Sequence, residues 1–436
     1  MTQQVDSKRS NVFAGNLSVE IIVDRNAIGV IPAQDLIECW FIEDIYSRCI
    51  TGKLRFYDTI GLLENGPFTG SEIVRFTYGT EETRILNFVI WETPLIVQAA
   101  PNRSTDKSVI ECSLVDTSFF RMFYTKKSLS FPKGDTHTQI VKNILMKLIG
   151  WPPENIFLEA SQDSQEDAIA FPFWSPSDMI QFLLKRTKSV SGGSNTGNSS
   201  GYLCYNSTEK TFSVNVKTLN YLFSRNNGVD DVNYIFEGGA DREATQNKIF
   251  DWSVSGIDQS LLRSVRGGKF RGFDTKSKFL TEFEYTFAQG IKDTILLGKK
   301  SILPDISDVN SSHDILGGNM EELKRVVYDE WVKMYCLQFM VDIVAQGNEK
   351  RYAGHQIQID WPSINRQYEK TQKQLNGLYL VKSVTHSFTG HGNNINYLQK
   401  MRLIKNAFDA SNAANLLNST KSTITNTKKL NMILKP

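Results

Sequence analysis

The chain has 436 residues, of which 40% are hydrophobic and 22% are charged, and its formal net charge is +2. A chain of this length exceeds the size at which a single hydrophobic core stops growing, so we expect about two to four domains. The near-neutral charge excludes a protein that binds nucleic acid through bulk electrostatics.

Residues 1–13 form an N-terminal segment without the apolar core of a signal peptide, and no later run is long enough to span a bilayer. Residues 14–130 then contain short strand-like runs separated by Gly, Pro and Asn. One of them, Thr51 to Tyr57, alternates polar and apolar residues, which is typical of a strand with one buried face. The pattern predicts a first β-barrel domain over 14–130.

The periodicity changes to that of helices after Pro132. Thr136 precedes an apolar helical stripe that ends at Gly150, and Ser175 with Pro176 is a strong start signal for a second helix. The Gly- and Ser-rich tract 189–201 predicts a mobile loop, and a strand hairpin follows it. Residues 131–245 are therefore predicted to be an inserted α/β domain.

Strand patterns return near Lys248 and predict a second β-barrel domain over 246–408, with its own insertion and a helix at Met320–Tyr335. Arg266–Gly272 is basic and glycine-rich. We expect a mobile loop that docks on another subunit, in preference to a contact with single-stranded nucleic acid. Residues 409–436 are a polar tail that is either disordered or an arm that orders on a partner. The predicted fold class is mainly β with an α/β insertion.

Two segments near opposite ends of the chain share one pattern: an aromatic residue, a small residue, Gly, two polar residues and Ile. They run from Phe68 to Ile73 and from Tyr352 to Ile357, and each precedes further strands and a similar closing strand. The matched positions are Gly70, Ile73 and Phe119 in the first copy, and Gly354, Ile357 and Phe408 in the second. The glycines lie 284 positions apart (354 − 70) and the phenylalanines 289 (408 − 119).

This pattern predicts a duplicated β-domain, with Gly70 and Gly354 at related turns and Ile73 and Ile357 facing the two cores. The alternative is a chance similarity between two hairpins with glycine turns. A duplicated domain would allow three chains to present six similar surfaces.

The sequence contains no nucleotide-binding, nucleophile-elbow or zinc-protease motif. Its five cysteines lack CxxC spacing, so we expect neither a disulfide framework nor a zinc site. We expect the widely spaced histidines at solvent-facing strand and turn positions; they are His137, His313, His355, His386 and His391. The prediction is a protein without catalytic residues, cofactors or bound metal.

A series of short motifs in the C-terminal half occurs in a fixed order. The motifs are Gly347-Asn348, Tyr352-Ala-Gly354-His-Gln-Ile357, Trp361-Pro362-Ser363, Asn376 to Val381, Val384 to Phe388, and Tyr397 to Phe408. This ordered series resembles the last domain of baseplate hub proteins from phages with contractile tails. The resemblance covers roughly 245–408 and extends more loosely over 14–240.

The resemblance implies a homotrimer in which two related tube domains per subunit form a pseudo-hexameric ring. Such a hub adapts the six-fold ring of the tail tube protein to a three-fold central spike protein. Tape-measure protein and DNA pass through its lumen, and baseplate wedge proteins are further candidate partners. The implied location is the tail baseplate of a virion, assembled in the host cytoplasm.

Other functions remain open at this level. The same hub module could belong to a secretion or pyocin-like contractile injection particle. A cell-wall hydrolase on a β-scaffold would need a cleft with a pair of carboxyl groups, for which the sequence offers no candidate. A carbohydrate-binding tail protein would need an exposed aromatic platform, whereas we expect most tryptophans in the core.

Overall fold

The computed structural model describes residues 16–23, 26–59, 61, 70, 72–79, 82–92, 95–98, 108–162, 168–189, 201–209, 212–224, 235–236, 248–255, 267–273, 278–286, 300–301, 311–316, 325–327, 329–330, 332–333, 339–359, 361, 375–391 and 394–408. The N-terminal segment 1–13, the tail 409–436 and most of the tract 189–201 lie outside these ranges.

The first part of the chain is built from strands. They are β1 Asn16–Val23, β2 Asn26–Ile31, β3 Leu36–Asp44, β4 Thr51–Tyr57, β5 Ile73–Gly79, β6 Arg84–Ile90, β7 Leu95–Gln98 and β8 Ser108–Asp116. In β4 every second residue is buried, because successive side chains of a strand point to opposite faces.

The middle part mixes helices and strands. It contains α1 Phe119–Phe123, β9 Lys127–Phe131, α2 His137–Ile144 continued by a π turn Leu145–Ile149, a 3₁₀ turn Pro153–Asn155, β10 Ile156–Leu158, β11 Ile169–Trp174, α3 Pro176–Arg186, β12 Tyr202–Ser207, β13 Ser213–Thr218 and α4 Leu219–Ser224. The two predicted helix starts are confirmed: the Thr136 and Ser175 hydroxyls accept hydrogen bonds from Gln139 N and Asp178 N.

The last part returns to strands. They are β14 Ile235–Phe236, β15 Lys248–Ser255, β16 Gly267–Phe273, β17 Leu280–Thr286, β18 Lys300–Ser301, β19 Ser311–Leu316, β20 Met340–Gln346, β21 Gln356–Ile359, β22 Gly377–His391, β23 Asn394–Ile404 and β24 Ala407–Phe408. Within the predicted helix Met320–Tyr335, residues 325–327, 329, 330, 332 and 333 are described and helical.

Fourteen of the strands in the described ranges form one sheet. Their order is β14-β15-β20-β23-β22-β3-β4-β8-β6-β5-β1-β2, with β21 paired to β22 and β7 paired to β8. Neighbouring strands are antiparallel, except that β14 is parallel to β15. The prediction of a mainly β fold is confirmed.

The same strand order occurs twice in this sheet. We call β3 to β6 with β8 the first unit, and β15 with β20 to β23 the second unit. The first unit has the spatial order β3-β4-β8-β6-β5, and the second has β15-β20-β23-β22-β21. In both, the five strands therefore follow the sequence 1-2-5-4-3 across the sheet.

The registers of the two units agree as well. Leu54 of β4 pairs with Cys112 of β8, and Ile343 of β20 pairs with Met401 of β23. Each residue of the second pair therefore lies 289 positions after its counterpart in the first pair (343 − 54 and 401 − 112). The remaining pairs of β4 with β8 and of β20 with β23 share this displacement. A β-bulge falls at the same step in both units, between Leu36 and Glu38 in β3 and between Ile249 and Asp251 in β15.

Two hydrophobic cores lie against this sheet. The core of the first unit gathers residues from β1 to β6 and from β8, and the core of the second gathers residues from β15 and β20 to β23. The long hairpin of β22 and β23 reaches across: Phe388, Ile395 and Tyr397 are buried in the core of the first unit. The C-terminal part of the chain thus completes the core of the N-terminal part.

A third core belongs to the middle part of the chain. In this core, α2 and α3 pack against two small sheets. One sheet has the strand order β10-β13-β12, and the other is the pair of β9 and β11. Met122 of α1, which follows the end of β8 at Asp116, is fully buried in this core. The proposed domain boundaries themselves stay predictions.

Two sequence expectations need correction. Ile73 is only half-buried while Val74 is fully buried, so the core-facing position of β5 comes one residue later than expected. Residues 267–272 are not a loop but part of β16, paired with β17 and β19. Lys269 and Arg271 form cross-strand ion pairs with Glu284 and Glu282, which explains how a basic, glycine-rich segment forms a strand.

Candidate functional site: the joint between the two units

The two units are joined through backbone pairing. Residues 383–389 of β22 pair antiparallel with residues 44–38 of β3, from Ser383 opposite Asp44 to Thr389 opposite Glu38. We call these two paired segments the unit joint. Because the joint is a strand pair inside a continuous sheet, it holds the units at a fixed register.

A buried polar pair lies in the unit joint. Glu43 and His386 come from opposite sides of it, and the side chains of both are 0% exposed. His386 Nε2 lies 2.9 Å from Glu43 Oε1. The Phe41 ring stacks on the imidazole at 4.4 Å between centroids. Buried polar groups need partners, and each of these two satisfies the other.

The neighbours of His386 lie within hydrogen-bond distance of both ring nitrogens. Gln399 Nε2 lies 3.3 Å from His386 Nδ1, and Gln399 Oε1 accepts a hydrogen bond from Asn348 N, which sets the orientation of the amide. Because a carboxylate oxygen accepts hydrogen bonds, His386 Nε2 donates to Glu43 Oε1. The Tyr397 hydroxyl, 2.7 Å from Nδ1, completes the set.

Glu43 also binds two other parts of the chain. Thr208, at the end of β12, donates to it from both its backbone N (3.0 Å) and its hydroxyl (2.6 Å). Ala353 N in the turn before β21 donates at 3.3 Å. One buried carboxyl group therefore links the first unit, the second unit and the middle part of the chain.

The turn at Gly354 is built into this joint. Gly354 has φ +89°, a left-handed conformation that favours glycine, and a side chain there would overlap the Tyr205 hydroxyl of β12. Gly70 has a nearly equal φ of +87° but open space around it. The two glycines thus share a backbone conformation, while close packing constrains only the second.

Asp116 forms a second link between the first unit and the middle part. Its carboxyl group accepts from Ile50 N (2.7 Å), Ser118 N (2.8 Å) and Asn206 Nδ2 (3.0 Å). Burial raises the pKa of Asp116, and the hydrogen bonds oppose that rise only in part. The contact with Asn206 anchors β12 to the end of β8.

Burial also dominates the chemistry of the tyrosines beside the joint. It raises the pKa of Tyr397 well above its ordinary value, and it raises that of Tyr78. Both hydroxyls therefore stay protonated at physiological pH. A polar network that is fully buried has no surface on which to bind a substrate, and its arrangement suits the holding of three parts of the chain in one geometry.

The remaining matched residues lie elsewhere. Phe119 begins α1 and packs against Trp91 at 4.3 Å between centroids. Phe408 ends β24 and pairs with Lys300 of β18. The two phenylalanines follow equivalent strands, but one begins a helix and the other ends a strand.

Sequence reasoning missed the central residues of the joint. The expectation that the histidines face solvent is wrong for His137, His355 and His386, which are 7%, 8% and 0% exposed. A signal was available, because strand alternation puts Glu43 on the same face as Cys39 and Phe41, and His386 on the same face as Phe388. A charged residue within an apolar strand needs a buried partner.

Some features bear on the other candidate functions. Among the described residues no group of three or more His, Cys, Asp or Glu side chains could hold a metal ion. No helix within the described ranges is both long and apolar enough to cross a membrane. Trp361 is buried at 1% exposure, but Trp91 and Trp252 are 38% and 39% exposed, so the expected core placement is wrong for these two.

Comparison with known proteins places the fold. No protein-family model matches the chain, and no curated protein matches it. A tail protein from Neisseria meningitidis MC58 is similar in structure, with a TM-score of 0.55 and 10% identity over 89% of this chain and 96% of that one.

Two further solved structures are similar to the chain. The 43 kDa tail protein of prophage MuSo2 from Shewanella oneidensis has a TM-score of 0.51 and 10% identity, over 89% and 98% of the two chains. A component of the E. coli type VI secretion system aligns at 0.49, with 10% identity over 89% and 77%. The sequence identity is low, and what the chain shares with the two tail proteins is the fold. This similarity extends over nearly the whole length of all three chains.

Proposed function

We propose that this chain is a structural hub of a phage tail baseplate that adapts a six-fold tail tube to a three-fold spike. Three copies form a ring, and each contributes its first and second units as two of six similar positions. The proposed location is the tail of a virion, and the ring encloses the channel through which the genome leaves.

One observation carries the proposal: the two units have the same strand order, the same register over β4 with β8 and β20 with β23, and a bulge at the same step. Six equivalent surfaces can meet three chains only if each chain presents two similar patches. A duplicated unit provides such patches. The similarity in fold to two tail proteins supports the same reading.

The unit joint supports the proposal in a second way. A ring that carries load along a tail needs rigid contacts between successive positions. Strand pairing over seven residue pairs, with Glu43 and His386 buried inside it, provides one such contact within each chain.

The proposed partners follow from this geometry. They are two further copies of the chain, the tail tube protein on the six-fold face and the spike protein on the three-fold face, with tape-measure protein and DNA inside the ring. Baseplate wedge proteins are candidates for the outer surface. The proposed role is structural rather than catalytic, and the burial of Glu43 and His386 in the unit joint suits such a role.

Native mass spectrometry of the full chain tests the proposal. We expect a species of three times the mass of the chain, and ring-shaped particles with six similar lobes in negative-stain class averages. A stable monomer at micromolar concentration would contradict the hub. A peptidoglycan zymogram checks the structural role, since a cleared band would show hydrolase activity.

A further inference from the structure

A cavity lies between the first unit and the middle part of the chain. It has a volume of about 160 Å³ and is partly open to solvent. Its lining comes from the turn between β3 and β4, from α3, from the first residues of β12 and from the helical residue Lys333. Four separate segments of the chain therefore meet at one concave site, which is the usual form of a site for a small ligand.

All charged residues in the described lining of this cavity carry a positive charge. They are Arg48 in the turn, Lys185 in α3, and Lys333. Charges of one sign inside a cleft focus the electrostatic field and raise the local concentration of ions of the opposite sign. The lining therefore favours an anion.

Two of these cations form ion pairs with carboxyl groups that are not part of the described lining. Lys333 Nζ lies 2.7 Å from Asp329 Oδ2, and Lys185 Nζ lies 3.2 Å from Glu330 Oε1. Glu330 is 56% exposed, so solvent screens its pair with Lys185. The two carboxyl groups leave one of the three positive charges, that of Arg48, without a paired carboxyl group.

Arg48 has no ion pair with a described Asp or Glu side chain. Its side chain is half-buried, and Nη1 donates to the Ser177 hydroxyl at 2.5 Å. This bond holds the guanidinium against the first turn of α3. A guanidinium carries further N–H donors besides the one used here, in a fork that matches the geometry of an oxyanion.

The positive charge of Arg48 is felt inside the cavity. Cys204 is part of the lining, and burial raises the pKa of its thiol to about 11, while Arg48 opposes that rise. The form of the thiol that Arg48 favours is the anionic one. The same field would act on an anion that enters from solvent.

We propose that this cavity binds a phosphate-sized oxyanion, held by Arg48, Lys185 and Lys333. Arginine recognises the oxygens of phosphate and sulfate through parallel N–H donors, and lysine binds them as a point charge. A tetrahedral oxyanion presents oxygens in all directions, so it can contact cations from several segments at once, which a planar carboxylate does less well. The cavity has room for such an ion, since one water molecule needs only about 10–15 Å³.

The bound oxyanion is a structural ligand. It connects the turn of the first unit to α3 and to the helical residue Lys333, so the folded chain gains stability as the concentration of the ion rises. The inference does not depend on the proposed ring. A result against the anion site leaves the hub intact, and a monomeric chain leaves the anion site intact.

Isothermal titration calorimetry of the full chain with inorganic phosphate tests the site. The buffer is an amine without phosphate or sulfate, and sodium chloride keeps the ionic strength constant. We expect a single phosphate to bind each chain with a dissociation constant below about 1 mM, and sulfate to compete with it. Acetate, a carboxylate, should bind about tenfold more weakly or not at all.

Arg48→Gln is the decisive variant. It removes the charge without a carboxyl partner, so it should weaken phosphate binding by about tenfold or more, whereas Arg48→Lys keeps the charge and should retain part of the affinity. The matched control is Arg75→Gln. Arg75 also belongs to the first unit, on β5, but it is 42% exposed and outside the described lining, so the affinity should change by less than about twofold.

Lys185→Gln is a second variant of the lining, with a side chain that is 32% exposed in the parent chain. It should also weaken phosphate binding, and it carries the test if Arg48→Gln does not fold. Circular dichroism of each variant checks that the chain is folded.

A second ligand distinguishes the source of the oxyanion. Glycerol 3-phosphate carries the same kind of phosphoryl group on a larger molecule. If it binds as tightly as inorganic phosphate, the occupant is a phosphoryl group of a larger molecule. If inorganic phosphate binds and glycerol 3-phosphate does not, the occupant is the free ion.

Three outcomes would overturn the site. The first is that phosphate up to about 10 mM produces neither heat nor a rise in the thermal midpoint of the parent chain. The second is an affinity that is unchanged in folded Arg48→Gln and Lys185→Gln. The third is an equal loss of affinity in Arg48→Gln and Arg75→Gln, which would place the anion elsewhere.

Discussion

At the scale of single residues, Glu43 is the most connected side chain of the unit joint. It accepts hydrogen bonds from Thr208 N, Thr208 Oγ1, His386 Nε2 and Ala353 N. These donors belong to the middle part of the chain and to the second unit, and all lie away from water. Removal of their acceptor would leave each of them buried without a partner.

We expect Glu43→Leu to reduce the free energy of unfolding by about 3–5 kcal/mol, the usual cost of breaking one side of a buried polar pair. Urea unfolding followed by tryptophan fluorescence measures the change. The control is Glu284→Leu. It removes the ion pair between Lys269 and Glu284, whose side chains are 59% and 58% exposed. It should change the free energy by less than about 0.5 kcal/mol. Equal midpoints for the two variants would contradict the role of Glu43.

The two turn glycines allow a matched comparison. Both have left-handed φ angles, so alanine at either position costs about 1–2 kcal/mol in backbone strain. At Gly354 the new side chain also overlaps the Tyr205 hydroxyl, and such overpacking adds about 1–3 kcal/mol. We therefore expect Gly354→Ala to lower the thermal midpoint more than Gly70→Ala does.

The double variant Gly354→Ala/Tyr205→Phe checks the cause. Removal of the hydroxyl relieves the overlap, so this variant should recover part of the loss relative to Gly354→Ala. If Gly70→Ala were as destabilising as Gly354→Ala, the close contact with Tyr205 would not be the deciding factor.

At the scale of elements, Asp116 connects the end of β8 to β12 and has a raised pKa because it is buried. The folded chain therefore binds this proton at a higher pH than the unfolded chain does. Stability from this group is greatest below the ordinary carboxyl pKa and falls as pH rises through the raised pKa of the folded state.

We expect the parent chain to lose stability relative to Asp116→Asn as the pH rises from acid to neutral. The comparison removes the contribution of all other titrating groups, since both chains share them. Urea unfolding of both chains at several pH values measures the difference in free energy. A difference that grows in favour of the parent chain with rising pH would contradict the cause assigned to the shift.

Most elements could be predicted from local patterns. The alternation of Thr51 to Tyr57 gives β4, and Ser175 followed by Pro176 gives the start of α3, because these signals depend on neighbouring residues. The face of β5 could not be predicted from the glycine match. One residue of displacement exchanges the two faces of a strand, and the register that sets it depends on β6.

The unit joint itself was beyond local patterns. Glu43 and His386 are 343 positions apart, and Thr208 reaches Glu43 from a third part of the chain. The repeat pattern indicated that the two ends are related, but not that β22 pairs with β3 or that the hairpin of β22 and β23 enters the core of the first unit. Such contacts depend on how whole elements pack.

At the scale of the whole molecule, assembly and folding should be coupled. If three copies associate as proposed, the folded state is stabilised by association, and its thermal midpoint depends on protein concentration. We expect the midpoint of the parent chain to rise by about 1 °C or more for each tenfold increase in concentration. Differential scanning calorimetry over a hundredfold range measures it.

A midpoint of the parent chain that does not change with concentration would indicate that the folded chain gains no stability from its copies.

The bulges at Leu36–Glu38 and Ile249–Asp251 have a geometric consequence. A bulge bends its strand and increases the local twist, so the two units receive the same bend at the same step. Equal bends let successive units turn through equal arcs, which is what a circle of alternating units requires. In the proposed ring, deletion of Ile37 or Phe250 would make the arcs unequal, so that three chains would build an open spiral instead of a circle.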